Sequence, residues 1–133
     1  MTDSLKILLV EDDEDDRFLT ERVLRKAGLK ISFHASDGQV AVDYLSGEGK
    51  YADRNTYPIP DIALLDLKIP EITGHQVLEW INTQEHLKRC RVYILSSSGE
   101  VRDRQRAEAA RAAGYFVKPL TEQNIAHFRA ENS

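Results

Sequence analysis

The sequence predicts an α/β protein: a doubly wound, five-stranded parallel sheet with helices on both faces, in (βα)5 order. Three observations carry that prediction. Short apolar stretches alternate five times with longer segments whose apolar residues recur at helical spacing. Ile7–Val10, Ile62–Leu65 and Val92–Leu95 are apolar at consecutive positions, the pattern of strands covered on both sides. Each strand candidate also stops at charged, hydroxyl or turn-forming residues. Strand–helix repeats of this kind cross over right-handedly, so all strand ends point the same way.

Leu5–Val10 is the first strand. Six acids, Glu11-Asp12-Asp13-Glu14-Asp15-Asp16, follow at once, and a helix then places Phe18, Leu19, Val23, Leu24 and Ala27 at helical spacing, with Gly28 as its stop. Ile31–Ala35 makes a second strand, punctuated by Ser36-Asp37-Gly38, and Val40, Ala41, Tyr44 and Leu45 form the inner side of a second helix. From Gly47 to Pro60, two glycines, two prolines and several polar residues predict a long surface loop. The third strand runs from Ile62 straight into Asp66. Lys68-Ile69-Pro70 and Thr73-Gly74 cannot extend it, because proline donates no hydrogen bond and glycine marks a turn.

A third helix, from about Gly74 to Gln84, turns Val77, Leu78 and Ile81 inward and uses Trp80 for packing. Val92–Leu95 is the fourth strand, ended by Ser96-Ser97-Ser98-Gly99. Glu100–Ala113, rich in Ala, Arg and Glu, is a fourth helix with Gly114 as its expected cap. Tyr115-Phe116-Val117 closes the sheet, Lys118-Pro119 breaks that strand, and Leu120 to about Ala130 forms a last helix with Ile125 and Phe128 facing the core.

Size and composition bound the function. A chain of 133 residues, 41% hydrophobic and 30% charged, suits one globular domain over 1–133, with a core over about 5–130 and no output domain. The net charge of -4 and the scattered Lys and Arg argue against a nucleic-acid partner. The first apolar run is too short for a signal peptide or a membrane span, so a soluble cytoplasmic protein with no membrane contact is expected. Cys90, the single cysteine, excludes an internal disulfide and reads as structural. His34, His75, His86 and His127 are dispersed and give no ligand pattern.

In doubly wound sheets, function collects at the C-terminal strand ends near the topological switch point. Those ends carry Glu11 and Asp12, then Asp66, then Ser96, then Lys118. Three neighbouring carboxylates repel one another and are tolerated best around a divalent cation. With oxygen donors alone, Mg²⁺ is the natural ion. Lys118 and the Ser96 hydroxyl can then meet phosphoryl oxygens, leaving Asp66 as the nucleophile. Asp13 to Asp16 read as acids that favour a helix N-terminus, with Asp13 also able to help the ion indirectly.

These residues resemble the receiver domains of two-component response regulators, a flavodoxin-like family, over nearly the whole chain. Leu8-Leu9-Val10-Glu11-Asp12 is similar to the family's first-strand acid pair, which implies Asp12 as a direct metal ligand and Glu11 as one acting through water. Leu65-Asp66-Leu67-Lys68-Ile69-Pro70 with Gly74 resembles the acceptor strand and loop, implying Asp66 as phospho-acceptor and metal ligand, the Lys68 carbonyl as a further ligand, and Pro70 and Gly74 as structural. Ser96 falls at the switch hydroxyl, Tyr115 at the switch aromatic, and Lys118-Pro119 at the family's Lys-Pro pair, which implies a cis bond at Pro119. Glu at the first acid and Ser at the switch hydroxyl are common variants.

The resemblance implies a phosphorylation-activated switch. It would accept a phosphoryl group from a histidine kinase or histidine phosphotransfer protein with Mg²⁺, dephosphorylate itself, and act on a downstream protein target or homodimerise through the 100–130 face. The 47–60 loop resembles that of stand-alone regulators paired with phytochrome-type histidine kinases. Three rivals fit less well. An aspartyl-phosphate phosphatase or phosphotransferase of haloacid-dehalogenase type needs an acid two residues after its nucleophile, where this chain has Lys68. A flavin carrier needs a phosphate-binding loop where this chain has six acids. A degenerate docking module would have lost key positions that are intact here.

Overall fold

The computed structural model describes residues 5–132. Five strands, β1 (Ile7–Val10), β2 (Phe33–Ala35), β3 (Ile62–Leu65), β4 (Arg91–Ser96) and β5 (Gly114–Val117), alternate with five helices, α1 (Glu14–Lys26), α2 (Gly38–Ser46), α3 (Gly74–Ile81), α4 (Val101–Ala109) and α5 (Glu122–Glu131). The strands form one parallel sheet in the order β2-β1-β3-β4-β5, the flavodoxin-like arrangement. The chain leaves β1 toward β2 and returns to the other side of β1 as β3. The switch point therefore lies between β1 and β3.

Both faces of the sheet centre are apolar because β1, β3 and β4 are covered twice. Ile7, Leu9, Ile62, Leu64, Tyr93 and Leu95 join Leu24 of α1 and Ile125 and Phe128 of α5 in one layer. Leu8, Val10, Ala63, Leu65, Val92 and Ile94 join α2, α3 and Ala107 of α4 in the other. The period of two along the strands decides which strand-end side chain belongs to which layer. Glu11, Asp66 and Lys118 continue the row that faces α1 and α5, whereas Ser96 continues the row that faces α3 and α4.

Local signals set the helix ends. Asp13, Asp37, Thr73 and Thr121 accept a backbone N–H at the starts of α1, α2, α3 and α5, and Thr73 and Thr121 complete reciprocal boxes with Gln76 and Asn124. Gly28 sits just beyond α1 at a φ of 81°, the left-handed turn expected of a C-terminal stop.

Several sequence expectations need correction. Phe18 and Leu19 are 58% and 45% exposed. The inner face of α1 instead runs through Thr20, Val23, Leu24 and Ala27, and Phe18 lies two residues, about 200° of helix rotation, from Thr20. Gly114 does not cap α4. That helix ends at Ala109, Arg111 takes the left-handed turn at φ 67°, and Gly114 opens β5. A Cβ on Gly114 would sit 3.0 Å from the Tyr93 ring on β4, so cross-strand packing explains that glycine. Helix α3 stops at Ile81 rather than near Gln84, giving way to a 3₁₀ turn over Glu85–Leu87.

The 47–60 segment is more than a surface loop. It contains a 3₁₀ turn at Gly49–Tyr51, buries Tyr51, and packs Tyr51 and Tyr57 edge-on against Phe33 and Tyr44. Arg54 ties it down by donating to the carbonyls of Tyr44, Leu45 and Tyr57 at 2.9, 2.8 and 3.1 Å.

Candidate functional site at the C-terminal rim

Strand β1 delivers Glu11 and Asp12 to the switch point. Glu11 extends the ladder, its N–H donating to the Ala35 carbonyl at 3.0 Å, and its side chain is buried. The Asp13 N–H donates to Glu11 Oε2 at 3.2 Å, which turns the carboxylate back over the strand end. Asp12 is exposed. Asp66 follows β3, its N–H donating to the Val10 carbonyl at 3.1 Å, so the backbone beneath it belongs to the sheet. Its Oδ1 accepts the Lys68 N–H at 3.2 Å.

The loop after Asp66 is pinned from below by Leu67 and Ile69, both buried. Pro70 directs its carbonyl to the Gly38 N–H at 3.1 Å. Gly74 begins α3 in direct contact with that loop: a Cβ there would lie 2.3 Å from the Asp66 carbonyl oxygen. A larger residue at position 74 would push the loop and the Asp66 carboxylate out of place.

Lys118 follows β5, its N–H donating to the Ser96 carbonyl at 2.8 Å, and the peptide bond to Pro119 is cis. Its ammonium reaches back across the rim and meets Glu11 Oε1 at 2.7 Å, Asp16 Oδ2 at 2.8 Å and Asp66 Oδ2 at 3.0 Å. Burial alone would push this ammonium's pKa down, but hydrogen bonds to Asp16, Glu11 and Asp66 outweigh it and hold the pKa above the ordinary lysine value. Glu11 moves the other way: burial, helped by the nearby Asp66 charge, raises its carboxyl to about 7 despite the Lys118 hydrogen bond.

Glu11, Asp12 and Asp66 each offer an oxygen within 4.8 Å of the others. Three carboxylates this close, one of them forced up in pKa, form an all-oxygen donor set that suits a hard divalent ion. The residues present fit Mg²⁺.

On the other side of the rim, Ser96 is fully buried, and its Oγ accepts the Ser98 N–H at 3.1 Å. The Tyr115 hydroxyl donates to the Ser98 carbonyl at 2.7 Å, and the Arg104 guanidinium stands 4.7 Å from the ring centre. Ser96 and Tyr115 are thus linked through one residue, Ser98. Sequence reasoning missed two members of this rim. Asp16 reads from sequence as an acid of the helix N-terminus alone, yet a turn of helix after Asp12 brings residue 16 back over the strand ends. His75 reads from sequence as one of four dispersed histidines; nothing local marks it, because its partner Asp103 lies on another helix at 3.2 Å.

The family model of the response regulator receiver domain matches residues 7–128. The probable methanogenesis regulatory protein FilR2 of Methanothrix harundinacea is 33% identical over 128 residues, covering 92% of this chain and 77% of that protein. The structure of the bacteriophytochrome response regulator AtBRR superposes with a TM-score of 0.82 at 33% identity, covering 98% of this chain and 93% of that one. The phosphorylated cyanobacterial phytochrome response regulator RcpA superposes with a TM-score of 0.80 at 30% identity, covering 97% and 91%. Among the described residues, no helix is long and apolar enough to cross a membrane.

Proposed function

Because the chain belongs to the response regulator receiver domain family, we propose that it is a phosphorylation-activated switch that takes a phosphoryl group on Asp66. Receiver domains work with histidine kinases or histidine phosphotransfer proteins, and the likeness to phytochrome regulators supports a phytochrome-type kinase as the donor. The observation that carries the reading is the Asp66 carboxylate itself. It lies 3.0 Å from the Lys118 ammonium and within 4.8 Å of oxygens on Glu11 and Asp12, at the open switch point of the sheet.

An Asp66 carboxylate oxygen attacks phosphorus as the P–N bond to the donor histidine breaks; the electron pair stays on the imidazole nitrogen, which takes a proton from solvent. Asp12, Asp66 and the Lys68 carbonyl would hold Mg²⁺, with Glu11 acting through water, and the bound ion would supply charge neutralisation for the transferring oxygens. Lys118, already against Asp66, donates a hydrogen bond to one phosphoryl oxygen, and the Ser96 hydroxyl moves to donate to another. Water attack on phosphorus later releases phosphate and restores the carboxylate.

Once Ser96 turns toward the phosphoryl group, the Tyr115 ring fills the space it leaves. The surface of α4, β5 and α5 then changes its affinity for a downstream protein or for a second copy of the chain. Asp66→Asn tests the assignment. With radiolabelled phosphohistidine kinase or acetyl phosphate in Mg²⁺, the native protein is expected to form about one alkali-labile acyl phosphate per chain and the variant none. Undiminished labelling of the variant ends the proposal.

A further inference from the structure

Ser98 has all its polar groups engaged at once. Its N–H donates to Ser96 Oγ at 3.1 Å, its carbonyl accepts from the Tyr115 hydroxyl at 2.7 Å, and its own hydroxyl donates to Asp103 Oδ2 at 2.7 Å. Asp103, in the first turn of α4, presents its second oxygen to His75 Nε2 at 3.2 Å. A carboxylate can only accept, so Nε2 carries the proton. His75 is the second residue of α3, buried to 8% exposure, and its Nδ1 is buried with no hydrogen-bond partner. The ring is therefore held at one nitrogen alone, by a contact that a single hydrogen bond makes or breaks.

The same edge of α3 continues to grip α4. Glu79 pairs with Arg106 at 3.1 and 3.2 Å, and the Asn82 side chain donates to the Ala110 carbonyl. Residues 75, 79 and 82 recur at helical spacing, so the contacts form a polar seam along one face. Helix α4 itself buries only Ala107. Polar contacts, more than apolar area, position this helix, and His75 is the end of the seam that reaches the Ser98 segment.

We propose that His75 is a positioning residue for the switch: through Asp103 it straps the Ser98 segment in place, and Ser98 in turn holds Ser96 and Tyr115 in their resting arrangement. The inference rests on the switch reading of Ser96 and Tyr115. Its structural half, however, is measurable without phosphate. Releasing the strap frees the Ser98 carbonyl from Tyr115 and the Ser98 N–H from Ser96, which shifts the unphosphorylated protein toward the arrangement that phosphorylation favours.

Amide hydrogen exchange on the unphosphorylated full chain reads the strap at the N–H groups of Ser98 and Glu100, which donate within this network. His75→Leu is expected to speed exchange there about tenfold while leaving β1 and β3 unchanged. His75→Gln, whose amide N–H can reach the same Asp103 oxygen, is expected to restore it to within about twofold of native. Asp103→Ala cuts the strap at its more exposed end, leaving the histidine in the sequence, and should match His75→Leu, so the test survives if the histidine variant folds poorly. Glu79→Ala, which removes the other ion pair, should leave Ser98 and Glu100 within about twofold.

The consequence for function is the rate of phosphorylation by acetyl phosphate in Mg²⁺, expected to rise about three- to tenfold in His75→Leu and Asp103→Ala. Unchanged exchange at Ser98 and Glu100 in folded His75→Leu overturns the strap even where Asp103→Ala exchanges faster, since Asp103 bonds Ser98 directly, and so does an equal rise in Glu79→Ala. Faster exchange with an unchanged phosphorylation rate overturns its control of switching. Faster exchange in a protein whose native form never labels at Asp66 supports the strap and sinks the switch reading instead.

Discussion

On the α1 side of the rim, one ammonium is gripped by three carboxylates at 2.7, 2.8 and 3.0 Å, over a layer in which Leu24, Ile125 and Phe128 are almost wholly buried. On the α4 side, Ser96, Ser98, Tyr115, Asp103 and His75 touch through single hydrogen bonds, and the helix above them buries one alanine. The difference fits what each side would do under the proposed function. Phosphoryl transfer needs charges fixed before the reaction, because preorganised groups need not rearrange as charge develops. A response needs an element whose two arrangements differ by little free energy, and few apolar contacts keep that difference small.

The largest effects should fall on the α1 and α5 layer. Phe128 is fully buried, and Phe128→Ala should cost about 3–5 kcal/mol, read as a lowered urea midpoint. A loss below about 1 kcal/mol would mean that this layer is no firmer than α4 and would break the comparison.

Next comes the ion cluster. Lys118→Met leaves Glu11 and Asp66, both nearly buried, without their cation, and should cost roughly 2–3 kcal/mol in EDTA, somewhat less than for a fully buried pair because the rim is open to water. Added Mg²⁺ should recover part of that loss if Glu11, Asp12 and Asp66 hold the ion. Equal stability of native and variant protein in EDTA would show that the charges are not preorganised.

The smallest effect reports on the α3 and α4 layer. Burial, with a contribution from Asp61, pushes the Cys90 thiol from 9.0 up to about 12. The folded state therefore favours the protonated thiol, and its contribution to stability is whole below 9.0 and fades as pH rises toward about 12. Alkylation needs the thiolate, so its rate in the folded protein should be at least about a hundredfold below that of a free thiol at pH 8 and climb about tenfold per pH unit. Alkylation at the free-thiol rate would mean that this layer opens widely, sharpening the contrast with the α1 side.

Much of the fold was legible because strands and helices announce themselves by period. The unbroken apolar runs of β1 and β3 marked buried parallel strands, and the polar residues ending them marked the rim. Gly114 misled because a glycine after a helix has two physical causes, a left-handed turn or a close neighbour, and only the Tyr93 ring tells them apart. Phe18 and Leu19 misled because apolar residues on a helix do not reveal which side meets the sheet when Thr20 is the buried one. The 47–60 segment looked unstructured because its order comes from Arg54 and the aromatic side chains rather than from a backbone repeat.

What the sequence determined alone is the alternation, the strand ends and hence the gathering of Glu11, Asp12, Asp66, Ser96 and Lys118 at one rim, since each depends on local period and on the handedness of parallel crossovers. The tertiary structure decided which of these side chains share a side of the sheet, that Asp16 joins the Lys118 cluster, and that His75 reaches Ser98 through Asp103. Those pairings join residues on separate helices and strands. Their geometry depends on how the elements pack, a property that no stretch of neighbouring residues encodes.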